Sequence, residues 1–283
     1  MRLYSLAALG MAGMLSLSGC EQLKRPGVDK NLDPVNVIDA TNLNDIMLTV
    51  ADPNEAVTYF SNALRKEPGR VEFRRGLAQS LIRARRSSEA VQVYAELVQS
   101  SEATNEDRVN YADALIRINE WKKAEAQLDK VPPTFETYKR YRLEAMIADS
   151  NKEWKKADSF YETAAELTTR PAGVYNNWGF SKLTRGDFAD SERLFLQAIT
   201  YDRNLFTAKN NLVLARAAQR KYSLPVIPLT QIEKAELLHT MALSAIKQGD
   251  IDIGRGLLEE AIDTHPQYFD AAVRALAALN SQT

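Results

Sequence analysis

From Val37 onward, apolar residues recur at helical rather than strand spacing, and the pattern itself returns about every 34 residues. Small residues stand at Ala56, Ala90, Ala124, Ala157 and Ser191, spaced 34, 34, 33 and 34 apart. Four places on come Phe60, Tyr94, Leu128, Tyr161 and Phe195, and three beyond those Ala63, Leu97, Val131, Ala164 and Ala198. Upstream, at a matching offset, lie Ala78, Ala112, Ala145 and Gly179. Small residues at fixed offsets let helix axes approach closely, while the aromatic or leucine between them fills the groove. The pattern predicts an all-α chain of stacked helical hairpins. Units open near Val37, Val71, Asn105, Tyr138, Ala172, Phe206 and Ala235, and a closing helix covers the apolar end from Phe269 to Leu279.

Local signals agree with hairpins. Asp52-Pro53-Asn54-Glu55 offers an N-cap, a proline at the first helical position and a reciprocal acid, and Thr230-Gln231-Ile232-Glu233 offers a second capping box. Val131-Pro132-Pro133 stops one helix early. One unit breaks the pattern. After a helix from Phe206 to about Arg220, Pro225 and Pro228 stand where a second helix should begin, and two prolines in four residues forbid one. Residues 221–230 therefore read as an extended linker crossing the stack, or as a hinge between the array at 37–220 and a final hairpin with its capping helix at 231–283.

The unit 172–205 carries Tyr175, Trp178, Gly179, Gly186, Asp187, Phe188, Ser191, Phe195 and Ala198. In these residues it resembles the tetratricopeptide repeat (TPR), with Ser191 and Arg203 standing where that pattern prefers Ala and Pro. The resemblance runs through most of residues 37–268. It implies a right-handed superhelical solenoid whose first helices line a concave, protein-binding surface.

The first residues carry an address instead. Arg2 is the only charge before Cys20, and Leu3 to Leu17 is largely apolar but short for a membrane span. This is a signal peptide over 1–19. It ends in Leu17-Ser18-Gly19-Cys20, which resembles the lipobox of bacterial lipoproteins and implies cleavage before Cys20, with acylation of its sulfur and new amino group. Several acyl chains anchor stably, each buried methylene contributing about 0.8 kcal/mol. Glu21, rather than the Asp that retains many enteric lipoproteins at the inner membrane, points to the periplasmic face of the outer membrane. Residues 20–36, with Pro26, Gly27 and Pro34, read as a flexible tether.

Composition narrows the chemistry. The 283 residues include 36 Lys and Arg against 37 Asp and Glu, two His and one Cys. A net charge of −1 gives no field for nucleic acid, and one Cys excludes a disulfide framework or thiolate cluster. No Gly-rich phosphate loop, nucleophile elbow or zinc-binding helix motif is present, so no enzyme, cofactor or metal is expected. His239 and His265 read as packing or capping residues. The basic run Arg70, Arg74, Arg75, Arg83, Arg85 and Arg86 reads either as a solvated helix surface pairing with local acids or as a docking patch for acidic protein or headgroups.

Positions 2, 6, 9 and 13 of each unit share one face of the first helix. Position 6 reads Asn42, Gly76, Asn110, Leu143, Asn177, Asn211 and Thr240; position 9 reads Asp45, Gln79, Asp113, Met146, Phe180, Leu214 and Leu243. The amides of Asn110, Asn177 and Asn211 suit a peptide backbone, and Phe180 and Leu214 suit apolar side chains of a partner. Two alternatives stay open: the asparagines serve hairpin packing, or Leu224 to Pro228 cover Phe180 and Leu214. Gln79, Asp113 and Met146 replace the asparagines of the cochaperone carboxylate clamp, so that function is not implied.

The lipobox, the repeat count and the run Val174-Tyr175-Asn176-Asn177-Trp178-Gly179, echoed by Asn210-Asn211-Leu212, resemble the TadD-type TPR lipoproteins of tight-adherence (Flp) pilus assembly. That resemblance implies a pilotin or scaffold acting on a secretin or other pilus components. The other reading that fits is an adaptor recruiting periplasmic proteases or peptidoglycan enzymes.

Overall fold

A computed structural model describes residues 43–281; the signal peptide, Cys20, the tether and Asn42 lie outside them. Among the described residues there is no strand. After a helical stretch at 43–49 come α1 (Pro53–Lys66), α2 (Val71–Arg83), α3 (Ser87–Leu97), α4 (Asn105–Arg117), α5 (Trp121–Leu128), α6 (Tyr138–Ser150) and α7 (Trp154–Glu166). The chain continues with α8 (Ala172–Thr184), α9 (Phe188–Tyr201), α10 (Phe206–Ala218), α11 (Gln231–Lys247), α12 (Ile251–Thr264) and α13 (Asp270–Asn280). The described residues from Met47 onward form one compact unit. The fold is a solenoid of helical hairpins in which each helix packs chiefly on its neighbours in sequence.

The repeat spacing translates directly into helix starts. Val71, Asn105, Tyr138, Ala172 and Phe206 each open a helix. The unit placed near Ala235 opens one turn earlier, at Gln231, because Thr230 and Glu233 exchange both bonds of a capping box. Thr104 and Asp107 form a second such box before α4. Asp52 caps α1 by accepting from the Asn54 and Glu55 amides at 2.8 and 3.2 Å. The α5 helix has only eight residues, since Pro132 and Pro133 cannot continue it, and their carbonyls accept from the buried Arg140 instead.

From α2 onward the turn after each first helix passes through one left-handed residue at the same place: Arg85, Asn119, Lys152, Gly186, Arg220 and Gly249 have φ between 57° and 86°. Glycine adopts this conformation freely, whereas each of the other four costs on the order of 1 kcal/mol. Arg220 makes the turn even though no second helix follows. The extended segment after it takes that helix's place: Tyr222, Leu224 and Leu229 pack on the core of α10–α12, and Ile227 packs on the core around Phe195 and Leu212. The Tyr222 hydroxyl donates to Asp250 at 2.5 Å and Arg216 donates to both oxygens of Ser223, so the segment is tied to the helices on either side.

The core runs along the stack as successive clusters. Ala56, Ala90, Ala124, Ala157 and Ser191 are fully buried, as are Phe60, Tyr94, Tyr161 and Phe195 at 2 % exposure or less. Ser191 stands where Ala is the rule because its hydroxyl donates to the Gly179 carbonyl at 2.9 Å. A Cβ on Gly179 would lie 2.7 Å from the Phe195 ring, so that ring occupies the space alanine fills in other units. We predict that Gly179→Val lowers stability by about 1–3 kcal/mol through overpacking against an immobile ring. A urea denaturation midpoint unchanged from wild type would contradict this.

The α10–α11 junction adds a titratable bond. Lys209, 2 % exposed, donates to Glu233 at 2.7 Å. Burial opposes the charge on Glu233, but the Lys209 ammonium and the Thr230 donors outweigh it and hold the carboxyl below its ordinary value. A depressed carboxyl contributes stability that is present above its unfolded pKa and lost as pH falls through the folded one. Acid titration of the folding equilibrium should therefore show a smaller loss of stability below about pH 4.5 in Glu233→Gln than in wild type.

Candidate functional site

The first helices α6, α8 and α10 leave an open groove of about 500 Å³ on their shared face. Its lining includes Thr207 from position 2, Asn177 and Asn211 from position 6, Met146 and Phe180 from position 9, and Ser150 and Thr184 from position 13. The helical period thus brings together the face that the spacing picks out. Trp121 and Trp154, the first residues of α5 and α7, add walls from the hairpin turns. Phe180 stands 51 % exposed; none of Leu224 to Pro228 lines the groove, Leu224 and Ile227 packing on cores elsewhere and Val226 lying fully exposed.

At the bottom sits Asp149. Its Oδ2 accepts from the Tyr161 hydroxyl at 2.9 Å and its Oδ1 from the Ser181 hydroxyl at 2.7 Å. Burial raises the Asp149 carboxyl above its ordinary range, against the effect of these two donors. Burial also pushes the Tyr161 phenol well up, and the neighbouring Asp149 charge adds to it. Both hydroxyls therefore stay protonated and donating.

The proposed amides separate into different roles. Asn177 is half-buried in the groove, its amide 3.6 Å from the Met146 sulfur. Asn211 is 8 % exposed and donates from its side-chain amide to the Asn176 side-chain Oδ1 at 3.1 Å, joining α10 to α8. Asn110 lies in a separate hollow of about 270 Å³ with Asp113 and Lys139, and accepts from Lys139 at 2.6 Å. Leu214 is half-buried and is not among the groove's lining residues. Only Asn177, Phe180 and Asn211 meet in one place, and Asn211 spends its amide on the neighbouring helix. Trp121, Trp154 and Asp149 were not singled out by the repeat reading. The two tryptophans occupy equivalent positions 33 residues apart, which is the signal that could have found them.

The basic run is dispersed by its partners. Arg75 grips the buried Asp107 through Nε and Nη2 at 2.9–3.1 Å, a bond that raises its pKa. Arg83 donates to the Met47 and Ala51 carbonyls at 2.7 Å, and Arg86 pairs with Glu89 at 2.6 Å. Arg70 pairs with Glu67 and lies over Phe73, Arg74 donates to the Pro68 carbonyl, and Arg85 is the exposed turn residue. Stitching and local pairing account for five of these six guanidiniums. His239 and His265 both pack on Phe269, at ring distances of 5.4 and 4.9 Å, away from the groove. Among the described residues no cluster of His, Cys, Asp and Glu could hold a metal ion, and no helix is long and apolar enough to cross a membrane.

Hairpins stacked at this pitch around a concave groove define a TPR solenoid. The tetratricopeptide-repeat family model matches residues 48–105. Among solved structures, a chain of the APC/C Cut9–Hcn1 hetero-tetramer aligns at a TM-score of 0.59 and 14 % identity, covering 88 % of this chain; this chain spans about half (49 %) of that one. A tetratricopeptide repeat protein from Parabacteroides merdae aligns at 0.55 and 14 % identity, over 86 % of this chain and 98 % of its own. The C-terminal part of a TPR protein from Cytophaga hutchinsonii aligns at 0.50 and 14 % identity, over 83 % and 98 %. No curated protein matches the sequence. These likenesses show the fold, a solenoid of TPR-type helical hairpins.

The two asparagines of the groove should behave differently. Asn211→Ala leaves the Asn176 oxygen unmet and should cost about 1–2 kcal/mol of stability. Asn177→Ala and Phe180→Ala should each stay within about 0.5 kcal/mol of wild type, as surface changes do. Chemical denaturation of the three variants checks this, and an Asn177 cost equal to that of Asn211 would contradict the division of roles.

Proposed function

We propose that the protein is a periplasmic TPR scaffold, held at the outer membrane by lipid on Cys20, whose groove binds segments of protein partners during assembly of a pilus or secretion machine of the tight-adherence type. The observation that carries the binding role is the open groove lined by half-exposed Phe180 together with Trp121, Trp154 and Met146. A partly solvated aromatic lining a concavity is the kind of anchor on which interface energy concentrates. The anchoring and pilus readings rest on Leu17 to Cys20 and on the TadD-type run at 174–179. A tether of the length of residues 20–36 would let the groove reach partners at the membrane face.

A photo-crosslinking residue at position 180 of the full chain, in intact envelopes, should yield one predominant product containing a secretin or pilus-assembly component. Phe180→Ala should weaken binding of that purified partner by about 2 kcal/mol, on the scale of interface anchors. Crosslinks spread over abundant envelope proteins, with affinity unchanged in Phe180→Ala, would overturn the binding role. For the anchor, Cys20→Ser should leave the helical circular dichroism intact and release the chain from membranes on fractionation. Continued sedimentation of that variant with outer membranes would rule out lipid as the anchor.

A further inference from the structure

Carboxylates packed between the helices of this solenoid are matched by cations. Asp107 is paired with Arg75, Asp113 with Lys139, Asp158 with Lys182 and Arg185, Glu192 with Arg216, and Glu233 with Lys209. Asp149 makes no ion pair among the described residues. Its two partners, Tyr161 and Ser181, are neutral hydroxyls, 1 % and 3 % exposed, which fix the carboxylate in position and bring no counter-charge to it. Arg185, whose charge reaches Asp149, is itself bonded to Asp158 and lies over the Trp154 ring at 5.6 Å. Among the described residues no Lys, Arg or His lines the groove, and Asp149 is the one charged residue in its walls.

An anion held by neutral donors beneath aromatic rings is complementary to a cation with an apolar stem. Ring faces attract cations, and a half-desolvated carboxylate attracts them more strongly than one in water. Resting on the reading of the groove as a partner-binding surface, we infer that it receives a lysine or arginine side chain of the partner segment. The aliphatic stem lies along Met146 and Phe180, and the charged end sits near Asp149 and the rings of Trp121 and Trp154. Long basic side chains bury their methylenes in this way while the head stays solvated or paired. A purely apolar anchor would leave Asp149 buried further and still unmatched, which disfavours it.

The test uses the full chain and two capped pentapeptides, Ala-Leu-Lys-Leu-Ala and the same sequence with norleucine for lysine. Tryptophan fluorescence is the readout, because two of the three tryptophans line the groove. The lysine peptide should bind at least about fivefold more tightly than the norleucine peptide. Asp149→Asn should erase that preference while changing norleucine binding less than about twofold. If Asp149→Asn loses its helical circular dichroism, Trp121→Leu decides. It keeps apolar area but removes a ring, and should at least halve the lysine preference. Equal binding of the two peptides, or a preference untouched by either substitution, overturns the cation inference while the groove reading stands. No saturable signal with either peptide also overturns the inference, and the groove reading then rests on the position-180 crosslinking alone.

Discussion

How closely two helix backbones can approach at the small-residue positions governs everything else in this solenoid. Ala56, Ala90, Ala124 and Ala157 have no exposed surface, and each lies beside an aromatic or leucine that fills the space the small side chain vacates. Because this contact repeats at nearly constant spacing, each hairpin is set against the last by nearly the same rotation. The same face of every first helix therefore points to the concave side, and a groove arises without any residue being placed there for that purpose. Gly179 shows the contact at close range. It admits the Phe195 ring where a Cβ would stand, Ser191 reaches the Gly179 carbonyl, and the same hairpin carries Asn177 and Phe180.

On the inner face, polar side chains divide into those that join units and those that remain for a partner. Arg75 with Asp107, Lys139 with Asp113, Lys209 with Glu233 and Asn211 with Asn176 each bridge successive first helices. Removing one member of such a buried pair strands the other, at a cost of several kcal/mol when both are charged. These bridges lock register between hairpins that packing alone would allow to slide. They also use up groups in the row of asparagines and arginines, because a side chain long enough to reach a ligand is long enough to reach the next helix.

That competition explains what could be read in advance. The helix starts at Val71, Asn105, Tyr138, Ala172 and Phe206 follow from spacing, since burial at period 3.6 is a strong local signal. The interrupted unit was equally visible, because proline at Pro225 and Pro228 removes donors whatever the context. The extended segment's packing onto two neighbouring cores was not, because Tyr222, Leu224 and Ile227 carry no period of their own. For the groove, the shared face was legible from offsets, yet which of its asparagines were already bonded depended on the neighbouring unit. Asn211 finds Asn176 and Asn110 finds Lys139, pairs 35 and 29 residues apart that no local pattern links. Asp149 escaped notice for the same reason, being one carboxylate among many until its neutral partners are known.

The groove is built so that recognition and folding draw on different atoms. Phe180 projects from a helix whose other faces are already packed, so its ring is free to meet a partner without being needed at home. Asp149 is the opposite case: it touches the groove, but its two hydroxyl donors belong to the core, Tyr161 being among the largest fully buried side chains. A charged group that is half-desolvated and oriented by rigid, neutral donors loses little freedom when a ligand arrives, so more of the contact energy survives as affinity. Stacked hairpins supply that rigidity through nearest-neighbour contacts, and the exposed ring above can change without disturbing them. A scaffold of this kind can alter what it binds by substituting at Phe180 or Asn177, while the anion beneath stays fixed by residues that the fold cannot give up.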